Sequence, residues 1–183
     1  MHRQMRGITL LELLIVMAVL AILACIVAPS FMDALAKAKS GAAQSAMLAT
    51  LTDSIRRAST TGTEVVLCPG SPEHGCADTF DWSGGWLAYS DANGDRQRDR
   101  DEALVSTGPP LDSSVRLLSS TGRRQLVVQP SGGNAGSNVT FTLCDSRGLD
   151  SAVTLVLSNQ GRLRQGAPTP HAAASCVASL RDS

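Results

Sequence analysis

The chain has 183 residues, with Lys+Arg and Asp+Glu equal at 16 each, so its net charge is zero and coating of nucleic acid by bulk positive charge is excluded. Aromatics are 3% and charged residues 17% of a globular composition, which leaves Val, Leu, Ile and Ala to build the core. Once the first apolar run is set aside, the remainder is one soluble domain of ordinary size.

The apolar run is GITLLELLIVMAVLAILACIVAP. From Ile8 to Ala28 it carries Glu12 as its only charge and is long enough to cross a hydrocarbon core at about 1.5 Å rise per residue. The preceding MHRQMRG is basic through Arg3 and Arg6, which by the positive-inside rule keeps the N-terminus in the cytoplasm and sends the rest outward. A cleaved secretory signal competes, since AILACIVA offers small residues, but the acid inside the run and the helical pattern beyond it argue against that reading. An ionisable group inside a membrane costs roughly 2.5–3.5 kcal/mol and marks a functional site that needs a partner; the bland alternative is that Glu12 snorkels to the interface.

After Pro29 the pattern stays helical, with Phe31, Leu35, Ala38, Ala42, Leu48, Leu51 and Ile55 forming an apolar face. One long helix is expected from about Thr9 to about Ala58, kinked near Pro29 and stopped at Gly62. From Glu64 onward short runs alternate with turn residues: EVVLC, GWLAYS, EALVS, VRLLS, QLVVQP, NVTFTLC, AVTLVLS and GRLRQ. They predict antiparallel sheet, with Val139, Phe141 and Leu143, and Val153, Leu155 and Leu157, each sharing one face against the helix or in a sandwich. PSGGNAGSN is expected to be a mobile connector and QGAPTPHAAAS a loose tail. The fold class is α+β: a long N-terminal helix, transmembrane then amphipathic, packed on antiparallel β-sheets.

Cys68, Cys76, Cys144 and Cys176 would all lie in an oxidising compartment and read as disulfides. Of their three pairings the favoured one joins Cys68 with Cys76 and Cys144 with Cys176. Cys25 reads as a small buried residue. A zinc site at Cys68, His74 and Cys76 lacks a fourth ligand. In DANGDRQRDRDE, Asp91, Asn93, Asp95 and Glu102 match four positions of an EF-hand calcium loop. Arg96 stands where that pattern needs glycine, and Arg98 and Arg100 add repulsion. A charged hairpin turn on Asn93-Gly94, its acids and arginines neutralising one another, is the competing reading. No catalytic set emerges, since His74 and His171 have no nucleophile or carboxylate pair beside them by sequence, and no cofactor is implied.

Gly7 followed by Ile8-Thr9-Leu10-Leu11-Glu12 and a long apolar helix resembles the class III signal of type IV pilins and type II secretion pseudopilins. That resemblance implies prepilin peptidase cleavage between Gly7 and Ile8 and methylation of the new amine. It also implies a pairing of Glu12 with the terminal amine of an adjacent subunit as the filament grows. Ile8 departs from the Phe or Met usual there. VVLCPGSPEHGC, WSGGWLAYSDANGD, TFTLCDSRG and SNQGRLRQG resemble the GspH/FimT family of minor pilins and pseudopilins. Among its FimT-type members a Gly-Arg-x-Arg motif is associated with DNA binding in natural transformation.

Gly161-Arg162-Leu163-Arg164 matches that motif, and a strand would place Arg162 and Arg164 on one outer face. Arg123, Arg124 and Arg147 could enlarge the patch; alternatively the arginines are a solvated edge or pair with Asp145 and Asp150. Without the leader the chain has 16 − 2 = 14 basic against 16 acidic residues, about −2, so any DNA binding is local and salt-dependent.

The implied organisation is leader 1–7, membrane and assembly helix 8–28, amphipathic half 29–61 and a β-rich periplasmic domain 62–183. Expected partners are prepilin peptidase, other pilins or pseudopilins, the bacterial inner membrane and double-stranded DNA. The implied function is that of a minor type IV pilin; the alternatives are the H-type minor pseudopilin of type II secretion and a membrane-anchored periplasmic binding domain.

Overall fold

A computed structural model describes residues 9–181. Two compact units divide the chain, one ending at Leu35 and the other formed by Ala36–Ser183. One continuous helix, α1 (Leu10–Thr61), runs through both. In the first unit every side chain described from Thr9 to Leu35 is exposed. This stretch is long and apolar enough to cross a membrane.

In the second unit the buried face of α1 is Ala36, Ser40, Ala43, Met47, Thr50, Leu51, Ser54 and Ala58. The face expected from the sequence is thereby corrected. Leu51 is on it and Leu48 and Ile55 flank it, while Phe31, Leu35, Ala38 and Ala42 are exposed. Small residues let the helix approach the sheets, and its polar members are satisfied by neighbours. The Thr50 hydroxyl lies 3.1 Å from that of Ser106 and accepts the Trp86 indole N–H at 3.0 Å. The helix ends at Gly62, whose N–H still reaches the Ala58 carbonyl at 3.0 Å and whose φ of 70° turns the chain out of the helix.

Among the described residues nine strands follow: β1 (Glu64–Ser71), β2 (Gly75–Cys76), β3 (Trp86–Asp91), β4 (Leu104–Gly108), β5 (Val115–Ser119), β6 (Leu126–Val128), β7 (Val139–Asp145), β8 (Val153–Leu157) and β9 (Leu163–Gly166). The first sheet has the order β2-β1-β3-β4, with β6 also paired to β1; the second is β5-β7-β8-β9. All pairings are antiparallel. Alternation works as expected: Val139, Phe141, Leu143, Leu155 and Leu157 enter one core with Met47 and Leu51 of α1 and Val65, Leu67 and Trp86 of the first sheet.

Two segments differ from expectation. The chain end is a helix, α2 (Pro170–Ser179), started by Thr169, whose hydroxyl accepts the Ala172 N–H, and by proline in its first turn. Cys176 ties it to β7 through a disulfide with Cys144, and Ala173, Ala152 and Cys144 pack beside that bond. Cys68 is joined to Cys76 between β1 and β2, so both bonds follow the pairing favoured from the sequence. The PSGGNAGSN connector is a fastened turn. Gln129 donates its N–H to Gly133 O at 2.7 Å, and Asn134, 3% exposed, donates its own to Asn159 O at 3.0 Å.

Candidate functional site

Three groups of sequence-predicted residues can now be placed. Gly7 and Ile8 lie outside the described residues. Just after them, the Thr9 hydroxyl accepts the Glu12 backbone N–H at 3.3 Å, and the Thr9 carbonyl accepts that of Leu13 at 3.2 Å. Thr9 therefore caps α1, with Glu12 in the first turn at the positive end of the helix dipole. The Thr-x-x-Glu spacing was the sequence signal for this cap.

In the second group, Asp91, Asn93, Asp95 and Glu102 stand on the β3–β4 loop, but their oxygens are engaged by the backbone. Asp91 accepts from Gly94 and Arg96, Glu102 from Ala92 and Asp99, and Asp95 from Gln97, all at 2.7–3.1 Å. Among the described residues no three His, Cys, Asp or Glu side chains gather to hold a metal ion. Among the described residues no arginine of the loop forms an ion pair with the loop's acids, which differs from the hairpin reading. Arg96 reaches Glu64 at 3.6 Å, and Arg98 lies 5.8 Å from the centroid of Tyr89. Burial, then the charges of Glu102, Asp91 and Asp95, push the Tyr89 hydroxyl well above its ordinary pKa. Arg96 itself adopts a φ of 59°, the left-handed conformation that the glycine of a calcium loop would supply.

The third group is the arginines. β9 is the edge strand of the second sheet, where Leu163 opposes Leu157 and packs on the main core, while Arg164 opposes Val156. Arg162 and Arg164 are exposed, and neither side chain has a partner among the described residues. The turn before them depends on Gly161, with φ 78°, where a Cβ would come within 2.1 Å of the Gly132 carbonyl oxygen. The Ser158 carbonyl accepts the Gly161 N–H, and its hydroxyl accepts that of Arg162, both at 3.0 Å.

The other arginines are engaged. Arg123 donates to the carbonyls of Ala135 at 3.3 Å and Ser137 at 2.7 Å. Arg124 pairs with Asp78 and stacks 5.0 Å from the centroid of Phe80. Arg147 grips Asp145 with Nε at 3.0 Å and Nη2 at 2.6 Å. Burial works to raise the Asp145 pKa, but the bonds and charge of Arg147, with the Ser40 hydroxyl, hold it below the ordinary carboxylate value.

A family model described as "Type II transport protein GspH" matches residues 43–161, more than half of the chain. The chain belongs to the GspH family. A second model, the prokaryotic N-terminal methylation motif, matches residues 2–28 of this GspH-family chain, a stretch that includes Gly7, Ile8 and Glu12. No match exists among curated proteins. Among solved structures, the type IV minor pilin FimU of Pseudomonas aeruginosa (strain PAO1) aligns with a TM-score of 0.51 at 13% identity, over 76% of this chain and 92% of that one. The minor pseudopilin EpsH from the Type 2 Secretion System of Vibrio cholerae aligns with a TM-score of 0.50 at 15% identity, over 73% and 97% respectively. At such identities they establish the fold, a long helix packed on antiparallel sheets, which is the architecture of minor pilins and pseudopilins.

Proposed function

We propose that this GspH-family protein is a minor type IV pilin. It is inserted with its N-terminus in the cytoplasm, cleaved by prepilin peptidase between Gly7 and Ile8, and methylated there. It is then assembled through α1 with other pilins, and it binds double-stranded DNA through Arg162 and Arg164. Its work is assembly and binding, with no chemistry of its own.

The observation that carries the DNA part is the pair of exposed guanidiniums without partners among the described residues, Arg162 just before the edge strand β9 and Arg164 on it, flanking the core-packed Leu163. Guanidiniums on one face track phosphates, and each phosphate neutralised releases counterions. Arg123, Arg124 and Arg147 are left out of this site because their donors are already engaged. The near-neutral total charge makes the contact local.

Binding of duplex DNA by the detergent-solubilised chain, compared with Arg162→Ala/Arg164→Ala, tests the reading. Salt-sensitive binding by wild type and its loss in the variant are expected. Absence of wild-type binding at low salt refutes the DNA role. The second reading, a minor pseudopilin of type II secretion with other pseudopilins as partners, is favoured by the description of the matching family model itself. It predicts incorporation into a secretion pseudopilus and no dependence of function on the two arginines.

A further inference from the structure

The outer face of the second sheet holds a cavity of about 560 Å³ beside the first turns of α2. Its floor includes a directly opposed pair of threonines, Thr142 on β7 and Thr154 on β8, 7% and 5% exposed. Neither hydroxyl has a hydrogen-bond partner among the described residues. Both hydroxyls face the open cavity, where they can bond a ligand with hydrogen-bonding atoms in place of water.

The surroundings set the charge of that ligand. α2 brings its N-terminus to the wall through Thr169, His171 and Ala172. Thr169 takes the N–H groups of Ala172 and Ala173, which leaves the His171 N–H as an open donor at the positive end of a ten-residue helix. No carboxylate lines the cavity among the described residues. Arg164 is outside the lining but opposes the lining residue Val156 on the neighbouring strand, and its guanidinium has no partner among the described residues. The remaining wall is mixed, with Phe80, Leu118, Ala167 and Pro168 apolar and Ser119, Ser120, Thr121, Thr140 and Ser175 polar.

We propose that this cavity binds a nucleotide. The phosphate sits between the α2 N-terminus and the hydroxyls of Thr142 and Thr154, with Arg164 at its edge. Helix N-termini bind phosphate through unpaired N–H groups and the dipole. The sugar and base lie against Phe80, Leu118 and Val156, and the volume is that of a small-molecule site, about 300–1,000 Å³. The ligand is a free nucleotide or one unit of a DNA strand lying along β9, and only the latter source rests on the DNA reading above.

The test is calorimetric titration of the full detergent-solubilised chain with thymidine 5′-monophosphate, thymidine, inorganic phosphate and a short single-stranded oligonucleotide. Binding of the monophosphate is expected, with thymidine and phosphate each at least tenfold weaker. Thr142→Val/Thr154→Val, which keeps shape and removes both hydroxyls, should weaken it at least tenfold. If that variant fails to fold, Ser175→Phe at the cavity wall takes its place with the same expected loss. Oligonucleotide competition identifies a strand as the source; its absence identifies free nucleotide.

The proposal is overturned if the monophosphate does not bind at millimolar concentration, if phosphate alone binds equally well, or if folded variants bind like wild type. Arg162→Ala separates the two readings. Duplex binding that depends on Arg162 without monophosphate binding removes the cavity and keeps the DNA role; monophosphate binding without duplex binding does the reverse.

Discussion

Replacing Asp145 by asparagine removes the charge at the most completely buried carboxylate in the domain. Asp145 is 0% exposed, and its oxygens accept the Arg147 backbone N–H at 3.0 Å, both guanidinium bonds and the Ser151 hydroxyl at 3.2 Å. The Ser40 hydroxyl of α1 completes the shell, so one side chain joins α1, β7 and the turn leading to β8. Breaking a buried ion pair from one side costs about 3–5 kcal/mol, because the remaining charge keeps its desolvation penalty. The Arg147 side chain is 24% exposed, which places the expected loss near the lower end, about 3 kcal/mol. For a chain of this size that corresponds to a fall in Tm of about 6–12 °C, read by circular dichroism at pH 7 in detergent.

The pH dependence is a separate check on the same carboxylate. Its folded pKa is depressed, so its stabilisation is present above the unfolded value of about 3.9 and is lost as pH falls through the folded value. The gap between wild type and Asp145→Asn should therefore close as pH drops below about 4. Asp112, held low by the Lys39 hydrogen bond and by Ser114, weakens both proteins alike in acid and cancels in the difference. A fall in Tm under about 2 °C, or a gap unchanged between pH 7 and pH 3, refutes the argument.

Glu12→Val should leave cleavage intact and reduce incorporation into sheared filaments, measured by immunoblot; wild-type incorporation would sink the assembly role of the carboxylate. Gly7→Arg should block processing, so mass spectrometry that still finds Ile8 as the N-terminus would refute the cleavage assignment. Cys144→Ala/Cys176→Ala opens a loop with a sequence separation of 32. By the chain-entropy relation it should lose about 4 kcal/mol, with faster amide exchange in α2 as the local readout. Gly161→Ala should weaken DNA binding with both arginines retained, because the new Cβ collides with the Gly132 carbonyl and displaces the turn before β9; unchanged affinity would mean that the turn does not position them.

The strands were legible because alternation places every second residue in the core, and Val139, Phe141 and Leu143 are buried together as the pattern demands. The buried face of α1 was not, because Ser40, Thr50 and Ser54 sit on it among small residues. Ser54 bonds the Thr50 carbonyl within the helix, but Asp145, Trp86 and Ser106, the partners of Ser40 and Thr50, come from distant positions that a helical period does not contain. α2 was missed for want of a strong apolar stripe, although Thr169-Pro170 before an alanine run was a readable start signal. The pairing of Arg124 with Asp78, 46 residues away, had no sequence signature. Fold placement therefore decided which arginines remain available for binding.

That selection gives Gly161-Arg162-Leu163-Arg164 a physical reading beyond two positive charges. Gly161 supplies a conformation and a close approach to Gly132 that a side chain would block, and Leu163 fixes the strand by burying its side chain against the main core. Arg162 and Arg164 are then exposed by consequence, at an edge where no acid among the described residues pairs with them. Moving the same two arginines onto another exposed strand would preserve net charge and lose this placement. DNA affinity should therefore follow the integrity of Gly161 and Leu163 as closely as it follows the charges themselves.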